Sequence, residues 1–294
     1  METSKINLYT AFLLGTVFLM ASCVKDELYN TPHPTMGAVE ITTDWSACAE
    51  QAVQPVSYTL RISGQSGQSY EQSVKGNTNL FHSLLAPADY ELLVYNTPED
   101  ITISGDIAKV SSTGENNIEA LPGYLFSATQ ALDVVRDDTL RTTVKMFQRI
   151  RQLTLILKLE EGDHDRITAT SATLTGIAPS MNLKTGELPL TGGASLSPIF
   201  EKATSSDGLP TLVATFRLLG ISMDEEQLLT VDVSLNNQTV QTIRTDLTSI
   251  LHQQMTGSMA PLTLDATLSL PSEVEISAHI TDWTIVENED IDVH

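Results

Sequence analysis

Apolar and polar side chains alternate with a period of two residues along most of this chain, and this alternation constrains the fold more than any other feature. It is clearest in the leucine-rich segment 153–159 and recurs in the segments 56–62, 229–235, 262–270 and 274–280. A period of two places one face of a β-strand on a core and the other face in water. Parallel strands covered on both faces would form continuous apolar runs instead, so the pattern predicts antiparallel, half-exposed strands.

Short clusters of turn-forming residues separate these segments. The clusters are Gly64–Gly67, Gly76–Asn77, Pro98–Asp100, Gly105–Asp106, Gly162–Asp163, Gly192–Gly193, Asp207–Gly208 and Asn236–Asn237. Short strands between such turns are typical of β-sandwiches and barrels. Helical periodicity occurs only at 246–255, where Leu247, Ile250 and Leu251 share a face. The predicted fold is all-β, with two tandem antiparallel β-sandwich domains.

The start of the chain has the anatomy of a lipoprotein signal peptide. Lys5 precedes an apolar run from Leu8 to Met20, which is too short to span a bilayer. Met20-Ala21-Ser22-Cys23 resembles a lipoprotein cleavage box, so Cys23 is the predicted lipid attachment site, carrying acyl chains such as palmitate. A plain secretory signal with an incidental cysteine, or a buried helix, is the alternative.

Lys25, Asp26 and Glu27 follow directly. They resemble the Lys-acid-acid surface-export signal that sends lipoproteins to the outer face of the outer membrane in one large group of Gram-negative anaerobes. A solvated charged linker is the alternative. The predicted location is the outer membrane, lipid-anchored and exposed at the cell surface.

Removal of residues 1–22 leaves 272 of the 294 residues, enough for two ordinary domains or one large β domain. A boundary is predicted near Arg149–Arg151, in a short polar connection between two strands. The predicted organisation is a signal peptide (1–22), a tether (23–36), an N-terminal β-sandwich (37–149), a C-terminal β-sandwich (150–286) and an acidic tail (287–294). A single large β domain is the alternative.

Charge and cysteine content exclude some classes of function. Acidic residues outnumber basic ones by 37 to 16, so nucleic acid is not an expected partner because its phosphates would be repelled. With Cys23 lipidated, Cys48 has no disulfide partner. The segment 45–55 contains no His, Lys or Arg, so we expect Cys48 to be a partly buried, unreactive thiol.

No catalytic residue, metal site or cofactor is predicted. The six histidines include no pair at metal-ligand spacing, and the segment 163–165 (Asp-His-Asp) fits a solvated hairpin turn better than a metal site. The segment 63–67 has the wrong residue order for a nucleophile elbow. An enzyme is therefore not expected, although two carboxylates that meet only in space would leave no motif.

One longer motif points to a family. The segment 85–96 reads LAPADYELLVYN, a turn followed by a strand with Tyr90, Leu92 and Val94 on one face. It is similar to the strand entry of transthyretin-like sandwich domains, with Ala88 and Asp89 where a glycine is usual, so this turn should not need a positive φ. With the cleavage box, the Lys-acid-acid triplet, VEITTDW at 39–45 and ITDW at 280–283, the layout resembles the fimbrillin-like lipoproteins, the minor or anchor fimbrial subunit family of type V pili.

The resemblance implies a mechanism and partners. Subunits of such pili polymerise by strand exchange after a trypsin-like protease removes an early strand, which requires Lys or Arg in the loop after the first strand. The segment 45–55 has neither, and Arg61 lies within a strand pattern. The implied role is an uncut anchor, terminal or accessory subunit that supports cell adhesion through β-strand complementation. Its implied partners are other fimbrial subunits, the outer membrane and a receptor on a host or bacterial surface.

Two alternatives remain open. Trp45 and Trp283 would serve a glycan-binding surface lipoprotein of a polysaccharide-uptake system if they were exposed, but we expect them to cover the ends of two sandwich cores. The segment 287–294 alternates only in part and carries four acidic residues. It fits a frayed acidic tail better than a donor strand, whose inward face should be apolar throughout.

Overall fold

The computed structural model describes residues 34–271 and 277–286, whose regular secondary structure consists almost entirely of β-strands. The first twelve strands are β1 (Ala38–Asp44), β2 (Tyr58–Gly64), β3 (Ser69–Val74), β4 (Thr78–Leu80), β5 (Ala88–Tyr95), β6 (Ile101–Ser104), β7 (Ile107–Val110), β8 (Ser112–Gly114), β9 (Asn117–Ile118), β10 (Phe126–Val134), β11 (Thr139–Lys145) and β12 (Phe147–Gln148). The others are β13 (Arg151–Leu159), β14 (Ile167–Ile177), β15 (Ser180–Asn182), β16 (Ala194–Leu196), β17 (Glu201–Thr204), β18 (Pro210–Leu218), β19 (Leu228–Leu235), β20 (Val240–Asp246), β21 (Leu262–Ser269), β22 (His279–Ile280) and β23 (Thr284–Ile285). The predicted all-β class is confirmed.

Two short helices interrupt the strands: α1 (Asp163–Arg166) and α2 (Thr248–Gln254). Helix α2 lies inside the segment whose period predicted a helix. Helix α1 occupies the position expected to be a solvated hairpin turn. Asp163 is buried there, and its Oδ1 accepts a hydrogen bond from Arg166 Nη1 at 2.6 Å. Neither helix, nor any other in the described part of the chain, is long and apolar enough to cross a membrane.

The first hydrophobic core lies between two sheets built from the first half of the chain. Their strand orders are β11-β1-β4 and β12-β10-β5-β2-β3. The buried apolar residues of this core extend along the sequence from Val39 to Met146. Alternation along β1 and β2 puts one face of each strand into this core and the other toward solvent.

The second core is larger and draws on three sheets, with orders β17-β18-β13-β21-β22, β20-β19-β14-β16-β9-β8 and β15-β7-β6. Strand β23 also pairs with β21. Ile101, Ala108, Val110 and Ile118 belong to this core although they precede Arg149–Arg151 in sequence. The 149/150 domain boundary stays a prediction.

Strand β5 contributes to both cores through opposite faces. Leu92 and Val94 are buried in the first core, as the shared face in the sequence predicted, while Leu93 and Tyr95 are buried in the second. Neither Ala88 nor Asp89 has a positive φ, which confirms the expectation for this turn. Because both faces of β5 are buried at this end, the strand lies at the junction between the two cores.

Three strand pairs are parallel: β1 with β11, β13 with β21, and β16 with β9. The remaining pairs are antiparallel, as expected from the alternation. In β1 the pattern is as clean as in the antiparallel strands, with Val39 and Ile41 fully buried. Alternation therefore indicated which face is buried, but it carried no information about strand direction.

The connection between the two halves is held by buried polar side chains. Gln148 Nε2 donates to the carbonyls of Ile150 at 2.6 Å and Met259 at 3.3 Å. Arg151 Nε donates to the carbonyl of Ala260 at 2.6 Å, and its Nη1 donates to the carbonyl of Gln254. Buried donors need acceptors, and carbonyl groups of the segment 254–260 supply them. These hydrogen bonds therefore attach the connection to that segment.

Candidate functional site at the first strand

Strand β1 is the centre of its sheet. It pairs in parallel with β11 over seven residues and in antiparallel with β4 at Glu40–Thr42. Backbone bonds extend this pairing, from Phe81 N–H to Val39 O and from Met146 N–H to Asp44 O, both at 2.8 Å. Removing β1 would expose the slot that Val39 and Ile41 fill, and each such side chain contributes roughly 1.5–3 kcal/mol on burial.

Buried hydroxyl groups fasten the end of β1. Trp45 Nε1 donates to Thr43 Oγ1 at 3.0 Å, and Thr43 Oγ1 lies 3.2 Å from the Tyr58 hydroxyl. The Tyr58 hydroxyl donates to the carbonyl of Gly76 at 2.6 Å. The Trp45 ring meets Tyr58 and Phe126 edge-on, with centroids 5.9 and 5.3 Å apart. Trp45 is thus a core residue and is not available for stacking on a glycan.

The loop after β1 is folded back onto the chain near Gln148. The Ala49 N–H donates to Gln148 Oε1 at 3.1 Å, and the Cys48 thiol donates to the carbonyl of Met146 at 3.7 Å. Cys48 is free and half-buried, and this burial raises the pKa of its thiol. A thiol with a raised pKa stays protonated and unreactive at neutral pH.

Arg61, the first Lys or Arg after Lys25, lies in the middle of β2. Strand β2 pairs with β3 on one side and β5 on the other. The Arg61 side chain is 11% exposed and forms an ion pair with Asp106. A protease needs an exposed, flexible segment, so neither the backbone nor the side chain at this position offers a cleavage site.

Further contacts hold Arg61 in place. Its Nη1 donates to the carbonyl of Gly105 at 2.8 Å and lies 3.9 Å from Glu71, and its guanidinium is 5.5 Å from the Tyr95 ring centroid. The Asp106 carboxylate also lies 3.3 Å from the Lys184 ammonium. The hydrogen bond between Lys184 and Glu91 is the largest cause that raises the pKa of Lys184. These charges connect β2 and β5 to the β6–β7 turn.

The C-terminal segment 279–286 has shorter strand pairing than β1. Strands β22 and β23 have two residues each and pair with opposite ends of β21. Between them, Trp283 is partly buried against the second core, and its Nε1 donates to Thr245 Oγ1 at 3.1 Å. Both tryptophans therefore lie on the cores, as expected, and each belongs to a different core.

Several predicted site residues lie outside the described residues. They are the lipid-attachment residue Cys23, the export residues Lys25, Asp26 and Glu27, and the tail 287–294. Lipid attachment, export and the role of the tail stay predictions.

Among residues 34–271 and 277–286, no group of three His, Cys, Asp or Glu side chains is arranged to hold a metal ion. The Asp-His-Asp segment has Asp163 engaged with Arg166. A cavity of about 320 Å³ lies beside the start of β14 and includes Phe200 and Lys202 in its lining. The Lys202 ammonium already donates to the carbonyls of His164 and Ile167, at 2.7 and 2.8 Å.

Sequence reasoning located Arg61 in a strand but missed its partners. Gly105–Asp106 was recognised as a turn, yet nothing in the sequence near Arg61 indicates that this turn supplies the counter-ion. The only sequence signal was an arginine on the polar face of a strand, which normally indicates a solvated side chain.

A family model described as fimbrillin-A associated anchor proteins Mfa1 and Mfa2 matches residues 51–289 of the chain. No curated protein matches the chain at a significant level.

Solved structures share the fold at low sequence identity. The fimbrial anchor protein Mfa2 from Porphyromonas gingivalis is 14% identical with a TM-score of 0.59, and the match covers 85% of this chain and 97% of that one. A candidate adhesin from Bacteroides ovatus is 15% identical with a TM-score of 0.58, covering 86% and 95%. A candidate polysaccharide-binding protein from Bacteroides thetaiotaomicron is 10% identical with a TM-score of 0.56, covering 87% and 98%.

Proposed function

Since the chain belongs to the family of fimbrillin-A associated anchor proteins Mfa1 and Mfa2, we propose that it is an uncut anchor, terminal or accessory subunit of a fimbria that supports cell adhesion. Family membership makes it a fimbrial, adhesin-like protein associated with the cell surface. The proposal adds that it keeps its first strand and works without catalysis.

The placement of β1 and Arg61 is the observation that supports this role best. Strand β1 is paired on both sides, and the loop after it contains no Lys or Arg. The first basic residue beyond that loop, Arg61, is inside a strand with both neighbours present. A subunit built in this way retains the strand that a polymerising subunit would lose.

In this proposal the lipid on Cys23 anchors the chain to the outer membrane, and the segment 23–36 spans the distance to β1. Strand β1 already fills its own slot between β11 and β4. Partner subunits therefore add by β-strand complementation at the edge of another sheet. Among the described strands, β3 and β17 each lie at the end of a sheet with one strand neighbour. Such edges offer backbone groups to an incoming strand.

The test compares the amino terminus of protein extracted from the cell surface with that of protein treated with trypsin. We expect both to retain residues 37–61, with an acylated Cys23 as the first residue of the untreated protein. A terminus near Val56 or Ile62 in the untreated protein would overturn the uncut role. Cys23→Ala should release the protein from the membrane fraction without changing its fold.

Glycan binding in a polysaccharide-uptake system is the second candidate, favoured by the structural likeness to a candidate polysaccharide-binding protein. Trp45 argues against it, because this residue is only 8% exposed. Isothermal titration against a panel of polysaccharides separates the two candidates. Clear binding that is lost in Trp283→Ala, a variant in which the first core is intact, would favour glycan recognition.

A further inference from the structure

A stripe of basic and aromatic side chains runs along the outer face of the chain just before the second core. Burial alternates from Val144 to Ile150: the even-numbered residues are buried, Lys145 and Phe147 are exposed, and Arg149 is partly buried. Phe147 is 46% exposed. These three side chains form the 145–149 stripe.

Arg149 is held in a defined orientation within the stripe. Its Nε donates to Ser127 Oγ at 2.8 Å, and the fully buried Ser127 hydroxyl donates to the carbonyl of Leu183 at 2.9 Å. The guanidinium carbon lies 5.5 Å from the centroid of the Phe147 ring. Gly186 leaves room for it, because a Cβ there would lie 2.8 Å from Arg149 Nη1.

The described part of the chain supplies no counter-charge to Arg149. Its ion pairs involve other cations, and none joins a carboxylate to this guanidinium. Burial lowers the pKa of Arg149. Arg151 is also desolvated, but its donors meet the carbonyls of Ala260 and Gln254. A desolvated cation without a counter-charge costs free energy, which an external carboxylate would recover.

We propose that the 145–149 stripe binds an acidic, extended segment of a partner protein. One carboxylate of that segment pairs end-on with Nη1 and Nη2 of Arg149, since Nε is occupied by Ser127. An adjacent apolar side chain of the segment lies on Phe147, and Lys145 attracts a second acidic residue. Arginine and exposed aromatic residues are enriched at the centres of protein interfaces.

A polypeptide is favoured over an acidic glycan by the position of the stripe. Phe147 belongs to β12, the outermost strand of the five-stranded sheet β12-β10-β5-β2-β3. An extended backbone can lie along such an edge and present alternate side chains to Phe147 and Arg149. The proposal goes beyond the anchor role, because it does not depend on whether β1 is retained.

The test measures peptide binding by fluorescence anisotropy with the whole chain from residue 24 onward. The salt concentration is about 0.15 M, because the net negative charge of the chain is then screened beyond about 8 Å while the close, partly buried pair with Arg149 is screened much less. The probe is a labelled, capped peptide, Glu-Leu-Glu-Gly-Glu-Leu-Glu, and its counterpart has every Glu replaced by Gln. Arg149→Gln should raise the Kd of the Glu peptide about tenfold or more, as expected for a charge-assisted hydrogen bond. Arg149→Lys should raise it less, and Phe147→Ala should raise it about threefold to tenfold.

Arg136→Gln is the matched control, since it removes the same charge from an exposed arginine outside the stripe. Its Kd should stay within about twofold of the original, because screened charges at a distance contribute little. Circular dichroism and denaturant unfolding check that each variant is folded, and Arg149→Lys provides a variant that retains the charge.

Four results would overturn the proposal. The Gln peptide could bind as tightly as the Glu peptide, or Arg136→Gln could weaken binding as much as Arg149→Gln. Deletion of residues 287–294 could strengthen peptide binding at Arg149, which would identify the chain's own acidic tail as the occupant. Binding of polygalacturonate that requires Arg149, without peptide binding, would assign the stripe to an acidic glycan instead.

Discussion

The two Ile-Thr-(Thr)-Asp-Trp segments share a motif but are held very differently by the fold. The first ends β1, which is paired along both sides, and its Trp45 is 8% exposed. The second lies between two-residue strands on β21, and its Trp283 is only partly buried. The burial of a tryptophan is thus decided by the neighbours of its strand and not by the motif that contains it.

The difference separates an integral strand from a peripheral one. Strand β1 fills the centre of a sheet and contributes fully buried side chains to the first core. The segment 279–286 adds side chains to the surface of the second core. The comparison predicts that the first segment cannot be lost without a replacement, whereas the last one can be disturbed at lower cost.

Trp45→Ala is expected to have the largest effect. The free energy of unfolding should fall by about 3–5 kcal/mol, because a large ring is deleted from a packed core. Trp283→Ala should cost about 1–2 kcal/mol, since part of its ring is already in water. Urea unfolding measures both, and Trp45→Phe, which keeps most of the apolar area, serves as the control. Equal losses for the two alanine variants would contradict the comparison.

Thr43→Val removes the acceptor for the indole of Trp45 without a large change in shape. We expect a loss of about 1–3 kcal/mol, because the buried Nε1 donor is left without a partner. Thr42→Val, on the exposed face of the same strand, should change stability by less than about 0.5 kcal/mol. If the two valine variants were equally stable, the buried hydroxyl chain would not hold the end of β1.

Arg61→Met tests the charges around the middle of β2. The expected loss is about 1–2 kcal/mol, less than for a fully buried ion pair because the Asp106 side chain is 37% exposed. Arg141→Met, whose arginine side chain is 71% exposed beside Glu40, should cost about 0.5 kcal/mol or less. Denaturant unfolding of the two variants measures the difference, and a greater loss from Arg141→Met would be inconsistent with the structure.

The smallest predicted effect is the loss of stability at acidic pH through Asp265, which holds the C-terminal segment. Burial of Asp265 favours its neutral form, but the hydrogen bonds with Lys158 and Thr284 outweigh it, so its pKa lies below the usual 3.8. A lowered pKa in the folded state stabilises the fold fully above pH 3.8, and this contribution is lost as the pH falls through the lowered value.

Unfolding measured from about pH 5 to pH 2 should therefore show a steeper loss of stability than in Asp265→Asn. The hydrogen-exchange protection of the Thr284 amide, corrected for the intrinsic exchange rate at each pH, should fall over the same interval, because the Thr284 side chain donates to Asp265. Identical slopes for the two proteins would show that this carboxylate does not hold β23 in place.

Much of the fold was predictable because burial has a simple period in strands. The alternation identified half-exposed strands such as β2 and β13, and the isolated helical period located α2. It did not show that β5 is covered on both faces or that β1 runs parallel to β11. Both properties depend on which distant strands are neighbours, and local sequence does not encode that choice.

Some features of the candidate site could also be predicted from the sequence, and others could not. The lack of Lys and Arg in 45–55 is a property of the sequence and needs no structure. The counter-ion of Arg61 comes from the β6–β7 turn, and the support for Arg149 comes from Ser127 on a neighbouring strand. Side chains that are far apart in the sequence and meet only in the folded sheets produce no recognisable sequence motif.

By itself the sequence determined the class of strand, the lack of a catalytic motif and the absence of a basic residue in the loop after β1. Only the tertiary structure decided that β1 is the central strand of its sheet, that Arg61 is enclosed and that Arg149 has no counter-charge among the described residues. The physical reason is that strand periodicity is local, whereas strand partners and ion pairs are chosen by packing between segments far apart in the chain.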